Sequence, residues 1–183
     1  MKKKIVAVCI VLICLAILGA GTLSYFFSES ITQNVITTGQ IKIALQETPK
    51  KYNEKGIIPG ETFKKTAKIK NTGKHTAWVK IRVDLKTINK KNKEVTIPRE
   101  KAEELIKIQA LPGWKKGKDG SYYYLLAVKP GEVTTKLMDQ IRLTENIDGS
   151  YSNKPLFVDI RGYGVQHVHN GDTVWQAKGW PAN

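Results

Sequence analysis

The chain has 183 residues, 30 of them basic and 16 acidic, for a net charge of +14. It is long enough for one domain with a proper core, and two cysteines exclude a disulfide-dense miniprotein. The basic balance attracts polyanions, but the lysines are scattered and accompany no nucleic-acid motif, which argues against a dedicated nucleic-acid reader.

Lys2, Lys3 and Lys4 precede an uncharged run that extends to Phe27, and Gly19, Ala20, Gly21 and Thr22 break its far end. A basic start, an apolar middle and a small-residue exit make a secretory signal. Cleavage is predicted after Ser24, so that Thr22, Ser24 and Tyr25 surround the cut bond; Ala20 is the other candidate. The run is also long enough to cross a bilayer, for which about 20 apolar residues suffice, so an uncleaved membrane anchor is the alternative. Cys9 and Cys14 leave with residues 1–24, as do the three lysines, and the charge falls from +14 to +11. The mature protein is then secreted without disulfides and relies on packing and sheet hydrogen bonds.

Residues 25–39 read as an extended amino-terminal arm. They are rich in Ser, Thr, Asn and Gln, with Tyr25, Phe26, Phe27, Ile31, Val35 and Ile36 as the apolar set and no turn signal before Gly39. Residues 40–183 read as the folded domain. Strict alternation puts Ile41, Ile43 and Leu45 on one face of a strand. After the Pro59-Gly60 turn, Thr62–Lys70 alternates again, with a one-place adjustment near Lys65. Asn71–Lys74 is read as a turn, and Thr76–Leu85 as the second arm of a long antiparallel pair, with Ala77, Val79, Ile81, Val83 and Leu85 inward and Lys80, Arg82 and Asp84 outward.

Thr87–Glu94 is a polar loop. Pro98 to Ile106 is a short helix, with proline where its missing N–H costs nothing and acids in the first turns. Ser121–Val128 is a strand and Lys129–Glu132 a second Pro-Gly turn. Val133–Leu143 is the next strand, with Leu137, Met138, Ile141 and Leu143 as its apolar set. Leu156–His169 is the last long strand, turned at Asn170-Gly171. Several strands at short spacing with one short helix predict an all-β, antiparallel β-sandwich, jelly-roll-like or Ig-like, preceded by a signal-peptide helix.

Gly19-Ala-Gly-Thr-Leu-Ser-Tyr-Phe-Phe-Ser-Glu-Ser, followed by Thr38-Gly-Gln-Ile-Lys-Ile, resembles the start of the TasA/camelysin family of Gram-positive exported proteins. It departs from that pattern at Ala20, where the family often has Gly, and at Glu29, where Asp is usual. Asp119-Gly-Ser-Tyr-Tyr-Tyr, Pro130-Gly-Glu-Val-Thr-Thr-Lys-Leu and the closing Tyr163-Gly-Val-Gln with Trp175 and Trp180 are also similar to this family; Lys86–Lys107 is the weakest stretch. The resemblance implies a jelly-roll-like sandwich, processing by a SipW-type signal peptidase, and a place in the extracellular matrix or at the cell surface. It also implies biofilm fibres as the assembled form.

Little in the residues suggests chemistry. His167 and His169 stand two apart on a predicted strand, which puts them on one face. With His75 they are the only candidate metal ligands, and three or four are needed. No cofactor is expected and no catalytic set is recognisable, so the chain is read as a non-enzyme. Camelysin-type members have been described as proteases, which leaves a metalloprotease as one alternative. Assembly has the better physical basis: unpaired sheet edges accept a strand from a neighbour, and head-to-tail donation of the arm does not close. The expected partners are therefore other copies of the chain or a related matrix protein. The second alternative is a monomeric wall-associated module that binds anionic wall polymers or extracellular DNA. The arm could equally pair within its own domain.

Overall fold

The computed structural model describes residues 30–32, 35–37, 41–48, 58–89, 91–145, 151 and 154–181. They form a β-sandwich of two main sheets, with a small third sheet and a single short helix among the described residues. The first sheet is β1 (Ser30–Thr32), β3 (Ile43–Glu47) and β5 (Ala67–Asn71), in that spatial order. The second runs β2 (Val35–Thr37), β12 (Leu156–Gln166), β6 (Ala77–Ile88), β10 (Tyr122–Tyr124), β9 (Trp114–Lys116). β7 (Glu94–Thr96) also pairs with β6. β4 (Thr62–Lys64), β11 (Gln140–Leu143) and β8 (Ile106–Lys107) make the third. All pairings are antiparallel except that of β2 with β12.

The backbone of the second sheet is the pairing of β6 with β12, from Leu156↔Thr87 to Gln166↔Ala77. Both strands bury most of their inner set, with Val83 and Leu156 half-buried. Leu45 and Ile69 from the first sheet meet Val79, Ile81, Leu85 and Ile160 from the second, all fully buried. Each such side chain stabilises the fold by roughly 1.5–3 kcal/mol relative to exposure. The helix α1 (Arg99–Leu105) starts after Pro98, carries Glu100 in its first turn, and buries Ala102 and Leu105, three apart, against this core. It has no side-chain cap; packing of that face holds it.

The predicted pairing of Thr62–Lys70 with Thr76–Leu85 is not what forms. The first run splits at Lys65-Thr66 into β4 and β5, which lie in different sheets, and β5 pairs with β3 while β6 pairs with β12. Asn71 explains the departure. Fully buried, it donates from Nδ2 to the carbonyls of His75 and Val128, both at 2.8 Å, and accepts the Gly73 N–H at 2.9 Å. These bonds turn the chain from one sheet to the other where a hairpin was expected. Gly73 fits that corner closely: a Cβ there would lie 2.9 Å from the Lys42 nitrogen.

Two predicted strands are shorter. In Val133–Leu143 only β11 is regular; Leu137 and Met138 are adjacent yet both fully buried, which an alternating strand does not allow. Ser121–Val128 reduces to β10, after which Val128 makes only an isolated bridge to Ala77. Conversely, the predicted Thr87–Glu94 loop contributes to β6 at its start and β7 at its end.

Candidate assembly interface

Thr22, Ser24, Tyr25, Phe26 and Phe27 lie outside the described residues. The rest of the arm is divided between the two sheets. Ile31 is in β1, where Ser30–Thr32 runs antiparallel to β3 and Ile31 stands opposite Gln46. Val35 and Ile36 are in β2, which runs parallel to β12, opposite Gly162 and Tyr163. β1 and β2 are each the outermost strand of their sheet. One short segment therefore completes an edge of both layers, through three register positions on each.

The edge it covers on the second sheet is built around two inward glycines. A Cβ on Gly164 would come within 3.1 Å of Ile41 and 3.2 Å of Ile43, and one on Gly162 within 3.4 Å of Ile69. β12 thus gives up side chains where the arm crosses, and the isoleucines of the opposite sheet fill the space. On the first sheet, Glu47 stands opposite Ser30 and forms an ion pair with Lys65 at 2.7 Å, both side chains almost wholly buried. Lys65 also donates to the Thr48 carbonyl at 3.0 Å. This pair marks the break between β4 and β5, the adjustment legible in the sequence near Lys65.

One end of the outer face of the second sheet is covered. Residues Val174, Ala177 and Trp180 from the carboxy-terminal segment pack on Trp78, Val165 and Tyr123, forming a second, smaller core. Lys80, expected in solvent, lies inside it. Its ammonium is 5.3 Å from the ring centre of Tyr123, 5.4 Å from that of Tyr163 and 5.2 Å from that of Trp180. Tyr163 and Tyr123 flank Lys80 on the neighbouring strands at the same register position, and Trp180 comes from the terminal segment. Such cation–π contacts strengthen once water is excluded.

Asp119 balances the charge at 3.0 Å. Burial would raise this carboxyl, but the Lys80 ammonium, Ser121 and the Tyr123 hydroxyl outweigh it and hold it at about 2. Burial, with Asp119 beside it, pushes the Tyr123 hydroxyl well above the ordinary range. No sequence pattern distinguished Lys80 from Arg82, since both occupy outward positions of one alternating run.

Further along the same face, register sets like charges opposite one another, Asp84 against Asp159 and Arg82 against Arg161. Neighbouring and diagonal pairs resolve the conflict. Arg82 binds Asp84 at 2.9 Å, Arg161 reaches across to Asp84, and Lys86 holds Asp159 at 3.0 Å.

The histidines do not share a strand face. β12 ends at Gln166; His167 leans on Trp78 with ring centres 4.7 Å apart, and His169 sits in the turn with a left-handed φ of 57°. His75 lies in the corner between β5 and β6, where its carbonyl accepts from Asn71. Among the described residues no three His, Cys, Asp or Glu side chains are placed to hold a metal ion.

These features define a β-sandwich with an edge of each main sheet completed by one amino-terminal arm. Residues 1–145 match the family described as camelysin metallo-endopeptidase, and the chain belongs to that family. It is the family that the amino-terminal segment and the Pro-Gly elements resemble. No curated protein and no solved structure matches the chain. The family's description implies a metal, but the donor set among the described residues does not fit one.

Proposed function

We propose that this chain is a secreted surface or matrix protein that assembles fibres, or assists their assembly, by giving its amino-terminal arm to a neighbouring copy. Members of its family are usually extracellular or surface-associated, and the signal-like start agrees with export. The observation that carries the reading is the placement of the arm. It is an edge strand in both sheets, held by three register positions on each, so an identical segment from another copy can pair in the same register. Signal peptidase cleavage ahead of Tyr25 would free the arm for that exchange.

The test is the size distribution of residues 25–183, by sedimentation and electron microscopy, beside the same protein lacking residues 25–36. Filaments from the first and none from the second are expected; monomers from both overturn the reading. The charge of +11 that remains once residues 1–24 leave favours a second reading, a wall-associated module for anionic polymers. Its signature would be polyanion binding that weakens steeply with salt. Chelator-sensitive proteolysis by the pure protein would instead favour the activity in the family's description.

A further inference from the structure

β7 and β10 pair with the same edge of β6, but at its two ends: β10 at Lys80-Ile81, β7 at Lys86–Ile88. Between them the edge is interrupted. The Leu85 carbonyl accepts the Ile97 N–H at 2.7 Å, which closes one end of the gap. Val83, two residues earlier, directs its own N–H and C=O to the same side, and no strand stands beside it there among the described residues.

A cleft of about 480 Å³ opens over this point, within the size range of ligand sites. Its walls are α1 and the β9–β10 hairpin, which touch at two places. Glu103 binds Lys116 at 2.9 Å, and Arg99 lies against Gly120 so closely that a Cβ there would fall 2.7 Å from its Nε. Ile97, Ala102 and Ile106 supply an apolar lining. Tyr122 adds a hydroxyl, which burial, helped by Glu103, pushes up to about 12.

The lining charges do not cancel. Asp84 is taken by Arg82 and Glu103 by Lys116, while Arg99 and Lys107 have no carboxylate partner among the described residues. We propose that this cleft binds a short extended peptide of another protein, with its main chain paired to Val83, an apolar side chain on the Ile97–Ala102 lining, and an acidic side chain between Arg99 and Lys107. An open main-chain pair calls for an extended backbone, and two unanswered cations at the rim select its charge.

The test uses the isotope-labelled full-length chain with two synthetic probes, acetyl-Val-Glu-Val-amide and acetyl-Val-Lys-Val-amide, followed by amide resonance shifts. The acidic peptide is expected to move the Val83 amide and to bind at least about tenfold more tightly than the lysine peptide. The double variant Arg99→Glu, Lys107→Glu, two exposed positions, is expected to abolish that preference while leaving the resonances of the core unchanged. A stationary Val83 amide at saturation, equal affinity for the two peptides, or an undiminished preference in the variant each overturns the proposal. The comparison of peptides on the unaltered chain decides the matter even if the variant folds poorly.

Discussion

Lys80 and Asp119 form an ion pair that is buried at one end only: the lysine side chain is 5 % exposed and the aspartate 33 %. Removing either partner therefore has unequal consequences. Asp119→Ala strands an ammonium among Tyr123, Tyr163 and Trp180, and is expected to cost about 3 kcal/mol. Lys80→Met leaves a carboxylate that water reaches and that keeps its bonds from Ser121 and Tyr123, and is expected to cost about 1 kcal/mol. Urea unfolding of both variants checks this; equal losses would show that the aromatic shell does not isolate the lysine.

The same pair sets an acid dependence. Asp119 sits at about 2, below the ordinary aspartate value of about 3.9. A carboxyl lowered on folding contributes stability that is complete above its unfolded value and is lost as pH falls through its folded value. Stability should therefore decline from about pH 4 to about pH 2, and Asp119→Asn should flatten that slope. A series of unfolding midpoints across this window, with an identical slope in the variant, would refute the assignment.

The two glycines of β12 should respond differently. Gly164→Ala forces a methyl to within 3.1–3.3 Å of Ile41 and Ile43, where overpacking costs about 1–3 kcal/mol. Gly162→Ala meets Ile69 at an ordinary 3.4 Å and gains from a stiffer unfolded chain, so it should be neutral or stabilising by about 0.5 kcal/mol. Thermal unfolding of the two single variants distinguishes them. If they behave alike, the close approach of the sheets at this edge is not what requires glycine.

Asn71→Ala removes the donors for two carbonyls and the acceptor for one N–H at the corner between β5 and β6. An expected loss of about 3 kcal/mol follows from leaving such groups unpaired in a buried site. Asn71→Asp retains the acceptor for Gly73 but not the donors, and should not rescue it. A stable alanine variant would mean that the corner is held by the strands alone.

Alternation made β3 and β6 legible, because each has one face against the core; Ile41, Ile43, Leu45 and, in β6, Ala77, Val79, Ile81 and Leu85 are buried where the pattern puts them, with Val83 half-buried. The short helix was legible from Pro98 and the acids behind it. Pairing was not. Two alternating runs joined by Asn-Thr-Gly read the same whether they fold on each other or part into opposite sheets, and what separates them is the side chain of Asn71 bonded to Val128, far along the chain.

The burial of Lys80 was hidden for a related reason. A polar face appears solvent-facing until a distant segment covers it, and Val174, Ala177 and Trp180 are too few to announce that they do. The cleft beside Val83 is likewise a product of where two strands stop, which periodicity does not mark. The arm's strands lie in a polar stretch with no alternation strong enough to name a partner, so the sequence left open which edges they join.

The pairing of β2 with β12 joins the beginning of the chain to its end: Val35 stands opposite Gly162. In a chain that emerges amino-terminus first, the place for β2 does not exist until residues 156–166 have followed. For most of that passage this half of the arm has nothing of its own to join. Chain order thus sets a delay between the appearance of β2 and the completion of the sheet that it joins.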